Sequence, residues 1–234
     1  MKTGMNMKHM KKALCLTLAL ALCLPLAAAA EGFDLSPVQA LTDYFTVDID
    51  TAESAAFVET QLTAADRSFV HEFENDTYYS STQFDLLAVH YNEPNCYPVF
   101  RLWIEYWAYD FLRIDSVTFE LDGVKYTFSG VSKDEWRTSH GSEGINESLL
   151  IKFGLENIAF PAALERAMNS IDNDLDRVGE LNITLTLHGT KDVTVRLGDG
   201  FWVDFAAMKL AWSLSGGMTA EYLEKVDSTE MTKH

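Results

Sequence analysis

The sequence predicts an α+β fold, with a predominantly antiparallel β-sheet, sandwich-like or curved, and helices covering one face. Residues Val99–Tyr109 alternate as a long aromatic strand, and Asp122-Gly123 separates two shorter alternating runs, the pattern of a β-hairpin with a type I′ turn. Phe160-Pro161 then opens a stretch with apolar residues at helical spacing. Long strands with tight turns indicate an antiparallel sheet with one buried side.

The first 30 residues have the pattern of a secretory signal peptide. Four lysines precede the apolar run Ala13–Leu26, and the small residues Ala27–Ala30 follow it. The apolar run is short for a membrane span, so we favour a signal peptide over an N-terminal anchor. The small residues are followed directly by Glu31 and not by a cysteine, which argues against a lipoprotein. We therefore expect cleavage near Ala30, a secreted or extracytoplasmic protein, and no stable membrane insertion afterwards.

The charge balance is strongly acidic. The 234 residues contain 18 Lys and Arg against 35 Asp and Glu, a formal net charge of −17. Removal of residues 1–30 takes away four lysines and no acid, which makes the net charge −21. Such a charge repels nucleic acid and anionic membranes and favours cationic partners. Cys96 is the one cysteine after residue 30, so no intramolecular disulfide is expected.

After the signal peptide, the pattern predicts three segments. Residues 31–65 read as a helical N-terminal segment, because Ser36-Pro37 resembles a helix start and Phe57, Val58 and Leu62 fit a second helix. Residues 66–226 read as a β-rich globular domain, and residues 227–234 as a polar tail.

The β-rich domain is predicted to contain further elements. Residues 68–91 and 149–153 are β-prone, and 181–187 and 193–197 alternate as strands. The polar stretch Gly130–Glu147 is predicted to be a surface loop. A turn is expected at Asp199-Gly200, before a segment that changes from strand to helix over Trp202–Leu214.

The aromatic strand supplies the strongest candidate for a ligand site. One of its faces combines large aromatic rings with one Arg and one Glu, a set that stacks on sugar rings and bonds their hydroxyls. A covering helix would instead make the same face part of the core. Together with a Trp of the polar loop, the candidate ligand-binding residues are Arg101, Trp103, Glu105, Trp107, Tyr109 and Trp136.

Asp172, Asp174 and Asp176 form a weak candidate for a Ca²⁺ site. Their spacing resembles the start of an EF-hand loop, but Arg177 occupies the required Gly position and Ile183 the position of the bidentate Glu. The alternative is a solvated acidic helix end. No other cofactor is expected.

No catalytic motif is present. Ser139 and His140 are adjacent in the polar loop without a nucleophile elbow, and the histidines lack metal-ligand spacing. We assign no catalytic residue.

The sequence therefore favours a secreted, soluble, non-catalytic binding or interaction domain, with a cell-wall glycan or an extracellular protein as its partner. Two alternatives stay open. One is a secreted polysaccharide hydrolase with paired carboxylates, which distant strands would supply. The other is a structural envelope protein that binds proteins through its acidic surface.

Overall fold

A computed structural model describes residues 34–61, 68–73, 76–91, 98–129, 136–141, 144–153 and 158–216. These residues form two antiparallel sheets, as the sequence predicted. The larger sheet has the order β1-β2-β4-β5-β9-β8, and β3 also pairs with β4; the smaller has the order β11-β10-β6-β7. The strands are β1 (Phe45–Asp50), β2 (Ala55–Thr60), β3 (Ser68–Phe73), β4 (Asp76–Val89), β5 (Val99–Ala108), β6 (Ser116–Leu121), β7 (Val124–Ser129), β8 (Trp136–Gly141), β9 (Gly144–Phe153), β10 (Ile183–His188) and β11 (Val193–Arg196).

Helices lie on the inner sides of these sheets. They are α1 (Ser36–Gln39), α2 (Ala159–Ser170), α3 (Asp199–Leu214) and a 3₁₀ turn at Val178–Glu180. The ring of Phe160 in α2 lies 4.4 Å from that of Phe119 in the smaller sheet and 5.8 Å from that of Phe153 in the larger sheet. Phe160 therefore joins the inner faces of both sheets in one hydrophobic core.

The helical interpretation of residues 31–65 is wrong over Phe45–Thr60. This part of the segment is a hairpin, β1 and β2, and α1 is its one described helix. The exposure of β1 alternates strictly, with Phe45 buried and Thr46, Asp48 and Asp50 exposed, which is a period of two. Because β2 pairs with β4, the hairpin belongs to the larger sheet. Residues 1–30 and 227–234 lie outside the described residues.

The aromatic strand and the hairpin were predicted correctly, although they belong to different sheets. β5 lies inside the larger sheet between β4 and β9, whereas β6 and β7 pair in the smaller one. Asp122 and Gly123 have φ angles of 50° and 79°, as a type I′ turn requires. The chain crosses from one sheet to the other through residues 109–115.

The prediction of a loop over Gly130–Glu147 is wrong for the described part of this stretch, Trp136–Gly141 and Gly144–Glu147. The stretch contains β8 and the start of β9, which pair in register from Trp136 and Leu149 to Gly141 and Gly144. An edge strand with polar residues on both faces carries no hydrophobic alternation, so β8 leaves no sequence signal of the usual kind.

The predicted turn at Asp199-Gly200 is also wrong, because α3 begins at Asp199. Apart from Asp204 and Lys209, this helix is apolar on all sides from Phe201 to Trp212, and almost every residue of that stretch is buried, as expected for a helix inside the core. Its Phe205 contacts the rings of Phe84 and Phe100 on the larger sheet.

A buried carboxylate fixes the crossover between the sheets. Glu147 in β9 is fully buried, and its carboxylate accepts three backbone N–H bonds, from Leu112, Arg113 (3.0 Å) and Ile114 (3.1 Å). The same segment also packs closely against Gly189. A Cβ added at Gly189 would lie 2.9 Å from the carbonyl oxygen of Arg113. The segment is thus held between β9 and the turn after β10.

A second buried carboxylate closes a gap in the larger sheet. β2 and β3 pair with the same edge of β4, but their pairing stops at Asp85 and resumes at Ser81. Between them, the backbone N–H of Phe84 donates to Asp204 Oδ2 at 2.6 Å, and the Thr60 hydroxyl donates to Oδ1. Asp204 on α3 therefore replaces the missing strand partner.

Candidate functional site

The candidate site is the outer face of the larger sheet, on the side opposite to the helices. Side chains alternate between the faces of a strand, so Phe100, Leu102, Ile104 and Tyr106 of β5 are buried toward the core. Trp103, Glu105 and Trp107 point the other way and are half-buried. We call these three residues the aromatic face. The structure thus brings together three of the six predicted ligand-binding residues.

Polar residues flank the aromatic face on both neighbouring strands. The register places Gln83 beside Trp103, Ser81 and Ser148 beside Glu105, and Asn146 beside Trp107. The Ser81 hydroxyl donates to Glu105 Oε2 at 3.4 Å, a long hydrogen bond. Ser148 is buried, whereas Ser81, Gln83 and Asn146 are half-buried, and these three side chains can hydrogen-bond to a ligand that stacks on the indole rings.

Arg101 lies on the same face of β5, but its guanidinium is not available to a ligand. Its side chain is buried and donates two bonds to Asp85, at 2.7 and 2.9 Å, across the β4–β5 pair. The guanidinium carbon also lies 4.2 Å from the ring centre of Phe57. Burial raises the pKa of Asp85 above its ordinary value, and the bonds from Arg101 offset part of this rise. The predicted cation of the site is therefore engaged inside the sheet.

Tyr109 lies beyond the end of β5 and is 66% exposed. It lines a shallow cleft of about 170 Å³ with Tyr106, Asp110, Thr190 and Lys191. The cleft is far smaller than a typical ligand pocket of about 300–1,000 Å³. Trp136 is the first residue of β8 and pairs with Leu149, but its side chain lies outside the described part of the structure.

The acidic run after α2 does not gather around a common point. Arg177 lies 3.7 Å from Asp172 and forms a two-bond pair with Glu180, at 2.9 and 2.8 Å. Asp174 caps the backbone N–H of Asp176 at 2.9 Å. Across the described residues, no group of three or more His, Cys, Asp or Glu side chains is arranged to hold a metal ion.

The buried carboxylates have structural partners. Asp85 pairs with Arg101, Glu147 accepts the crossover amides, and Asp204 accepts bonds from two strands. These three acids hold strands and helices in place. The hydrolase alternative would need its two carboxylates from elsewhere in the chain.

The outer face of the smaller sheet carries a hydrogen-bonded chain that sequence analysis missed. Asp192 Oδ1 lies 2.9 Å from His188 Nδ1, and His188 Nε2 lies 2.9 Å from the Thr118 hydroxyl, which also contacts Thr127 at 2.9 Å. In sequence, Thr184, Thr186 and His188 alternate along one strand, but Thr118 lies 70 residues from His188, so this alternation alone does not reveal the chain.

An Asp–His–hydroxyl order resembles the relay of a serine hydrolase, which also needs donors for an oxyanion. Here Thr118 and His188 lie on β6 and β10, the two interior strands of the smaller sheet, whose amides serve the ladders. This hydrogen-bonded chain therefore lies on a flat polar face, where the amides of the two strands pair in the sheet rather than point at an oxyanion.

Comparisons with known proteins found no matching family model, no matching curated protein and no matching solved structure. Among the described helices, none has both the length and the apolar character needed to cross a membrane.

Proposed function

We propose that this protein is a secreted, non-catalytic binding domain that recognises a glycan through the aromatic face of its larger sheet. The observation that carries the proposal is the pair of half-buried rings, Trp103 and Trp107, on the outer face of one strand. Two indole rings on one outer face, with polar side chains beside them, form an apolar patch with a polar rim, which is a pattern typical of interaction sites.

The spacing of the rings favours an extended ligand. Trp103 and Trp107 are four residues apart on one strand, which corresponds to about 13 Å at the strand rise of roughly 3.3 Å per residue. Glu105 lies between them, and one amide side chain is in register with each ring, Gln83 with Trp103 and Asn146 with Trp107. A linear sugar chain presents apolar C–H faces to the rings and hydroxyls to the polar neighbours. A small compact ligand would reach one ring only.

Isothermal titration calorimetry with a panel of soluble cell-wall and plant oligosaccharides tests the proposal. A calorimetric readout is needed because the variants remove the fluorescent reporters themselves. We expect saturable binding by the wild-type protein, and a loss of affinity of at least about tenfold in the double variant Trp103→Ala/Trp107→Ala, since buried aromatic anchors dominate such surfaces.

The matched control is Trp103→Phe/Trp107→Phe, which keeps a flat ring at each position. We expect it to retain more affinity than the alanine pair. Urea unfolding of each variant verifies that it is folded. Binding that survives the alanine pair, or a folded wild-type protein that binds no member of the panel, would overturn the proposal.

A further inference from the structure

The charges around the aromatic face indicate which glycan it takes. Glu105 is the central residue of the face, about 7 Å along the strand from each indole, given roughly 3.3 Å per residue. Its direct neighbours in register, Ser81 and Ser148, are neutral. A half-buried carboxylate between two aromatic rings attracts a positive charge by two routes, direct Coulomb attraction and the cation–π effect of Trp.

The one cation of this face on β5 is already neutralised. Arg101 is two residues from Trp103, but its guanidinium is buried against Asp85 and is 2.7 Å from that carboxylate. An anionic ligand at Trp103 would thus meet no available positive group on that strand. On the neighbouring strand, Lys152 is exposed one row away, and the register places Arg137 on β8 in the row of Glu105.

Exposed acids extend the negative field beyond the site. Glu59 lies on the outer face of β2, in register with Asp85, and Asp48 lies on the outer face of β1, in register with Phe57. Both are exposed. The whole chain carries a net charge of −17, so the long-range field has the same sign as the site.

We infer that the glycan is cationic, a chain of amino sugars whose protonated amine lies at Glu105 while its sugar rings stack on Trp103 and Trp107. This inference rests on the proposed function and names its ligand class. Polar neighbours such as Gln83 and Asn146 suit sugar hydroxyls, which favours a glycan over a basic peptide.

The test compares two oligosaccharides of equal length by calorimetry, a glucosamine oligomer and its N-acetylated counterpart. Both present similar ring faces, but only the first carries amines, which are protonated at mildly acidic pH. We expect the glucosamine oligomer to bind about tenfold more tightly, the magnitude of one partly desolvated cation–π and charge contact. We also expect this preference to decrease as the salt concentration rises.

Three charge variants test whether Glu105 causes the preference for the glucosamine oligomer. Glu105→Gln should weaken binding of the glucosamine oligomer about tenfold, and should weaken binding of the N-acetylated oligomer clearly less, so that the preference between the two is lost. Glu120→Gln is the matched control, because it removes the same charge from an exposed acid on the smaller sheet, and it should change neither affinity. Lys152→Gln should leave the affinity for the glucosamine oligomer equal or higher, whereas an anion-binding face would lose affinity.

The possible results distinguish a failure of the cationic-ligand inference from a failure of the proposed glycan-binding function. Equal affinity for both oligosaccharides, lost with the two tryptophans, would overturn the cationic ligand and keep the glycan-binding domain. Binding of an oligolysine peptide in preference to the glucosamine oligomer would overturn the amino-sugar chain as the ligand. Failure of both oligosaccharides, and of the wider panel, would overturn the proposed function together with the inference.

Discussion

The carboxylate of Glu147 offers the sharpest test of how the two sheets are joined. It accepts N–H bonds from three consecutive residues of the crossover while fully buried. Substitution Glu147→Gln keeps the size of the side chain but replaces one acceptor oxygen by an amide NH₂. Either Ile114 or the pair Leu112 and Arg113 then faces a donor and loses its acceptor.

Hydrogen bonds to a charged group contribute about 1.5–3 kcal/mol each, and a buried donor left without an acceptor costs about 1–3 kcal/mol. We therefore expect Glu147→Gln to lower the free energy of unfolding by about 2–4 kcal/mol, within the roughly 5–15 kcal/mol available to a typical domain. Urea unfolding followed by tryptophan fluorescence measures it, with an unchanged m-value expected.

Glu105→Gln is the matched control for this prediction. Glu105 pairs with Ser148, the residue next to Glu147, but it lies on the opposite face of the sheet and receives one long bond from Ser81. We expect this variant to lose less than about 0.5 kcal/mol, as is usual for surface substitutions. Equal losses for the two variants would refute the role assigned to the Glu147 carboxylate.

Three further substitutions test other parts of the structure. Asp204→Asn should lower the free energy of unfolding in urea by about 1–3 kcal/mol, because an amide NH₂ replaces a buried acceptor oxygen. An unchanged free energy of unfolding would contradict the role of Asp204 as the hydrogen-bond partner of β4 between β2 and β3. Arg101→Met should cost about 3–5 kcal/mol at neutral pH by leaving Asp85 buried and unpaired. Folding raises the pKa of Asp85, so protonation of this acid at low pH favours the folded state. The stability lost by Arg101→Met should therefore become smaller as the pH falls toward the ordinary pKa of Asp. A loss that becomes larger as the pH falls would refute this role of Asp85. Gly189→Ala should destabilise the fold by about 1–3 kcal/mol, since its Cβ would overlap the backbone oxygen of Leu112; wild-type stability would show that the turn is loose.

Much of the fold was predictable because its signals are local. The Asp122-Gly123 turn and the alternation along β5 depend on residues close in sequence, and both were predicted correctly. The sorting of strands into two sheets was not predictable, since it depends on long-range pairing. The hairpin of β1 and β2 was mistaken for helix because a few apolar residues of β2 also fit a helical stripe, while the period of two in β1 was overlooked.

The candidate site was predictable in part for the same reason. The alternation along β5 places Trp103, Glu105 and Trp107 on one face whatever the sheet order. It cannot tell that Arg101 on that face is buried, because its partner Asp85 comes from another strand and Phe57 from a third. The Asp192–His188–Thr118 chain also joins two strands far apart in sequence, so no local pattern reveals it.

The central claim is that the aromatic face is open to solvent and binds ligand there. Hydroxyl-radical footprinting with mass spectrometry tests it most directly, because it reports each tryptophan separately in the free protein and with the glucosamine oligomer. We expect Trp103 and Trp107 to be oxidised in the free protein and protected by the oligomer, while the buried Trp202 and Trp212 stay protected in both. Oxidation of Trp103 and Trp107 as slow as that of Trp202 in the free protein would contradict this claim.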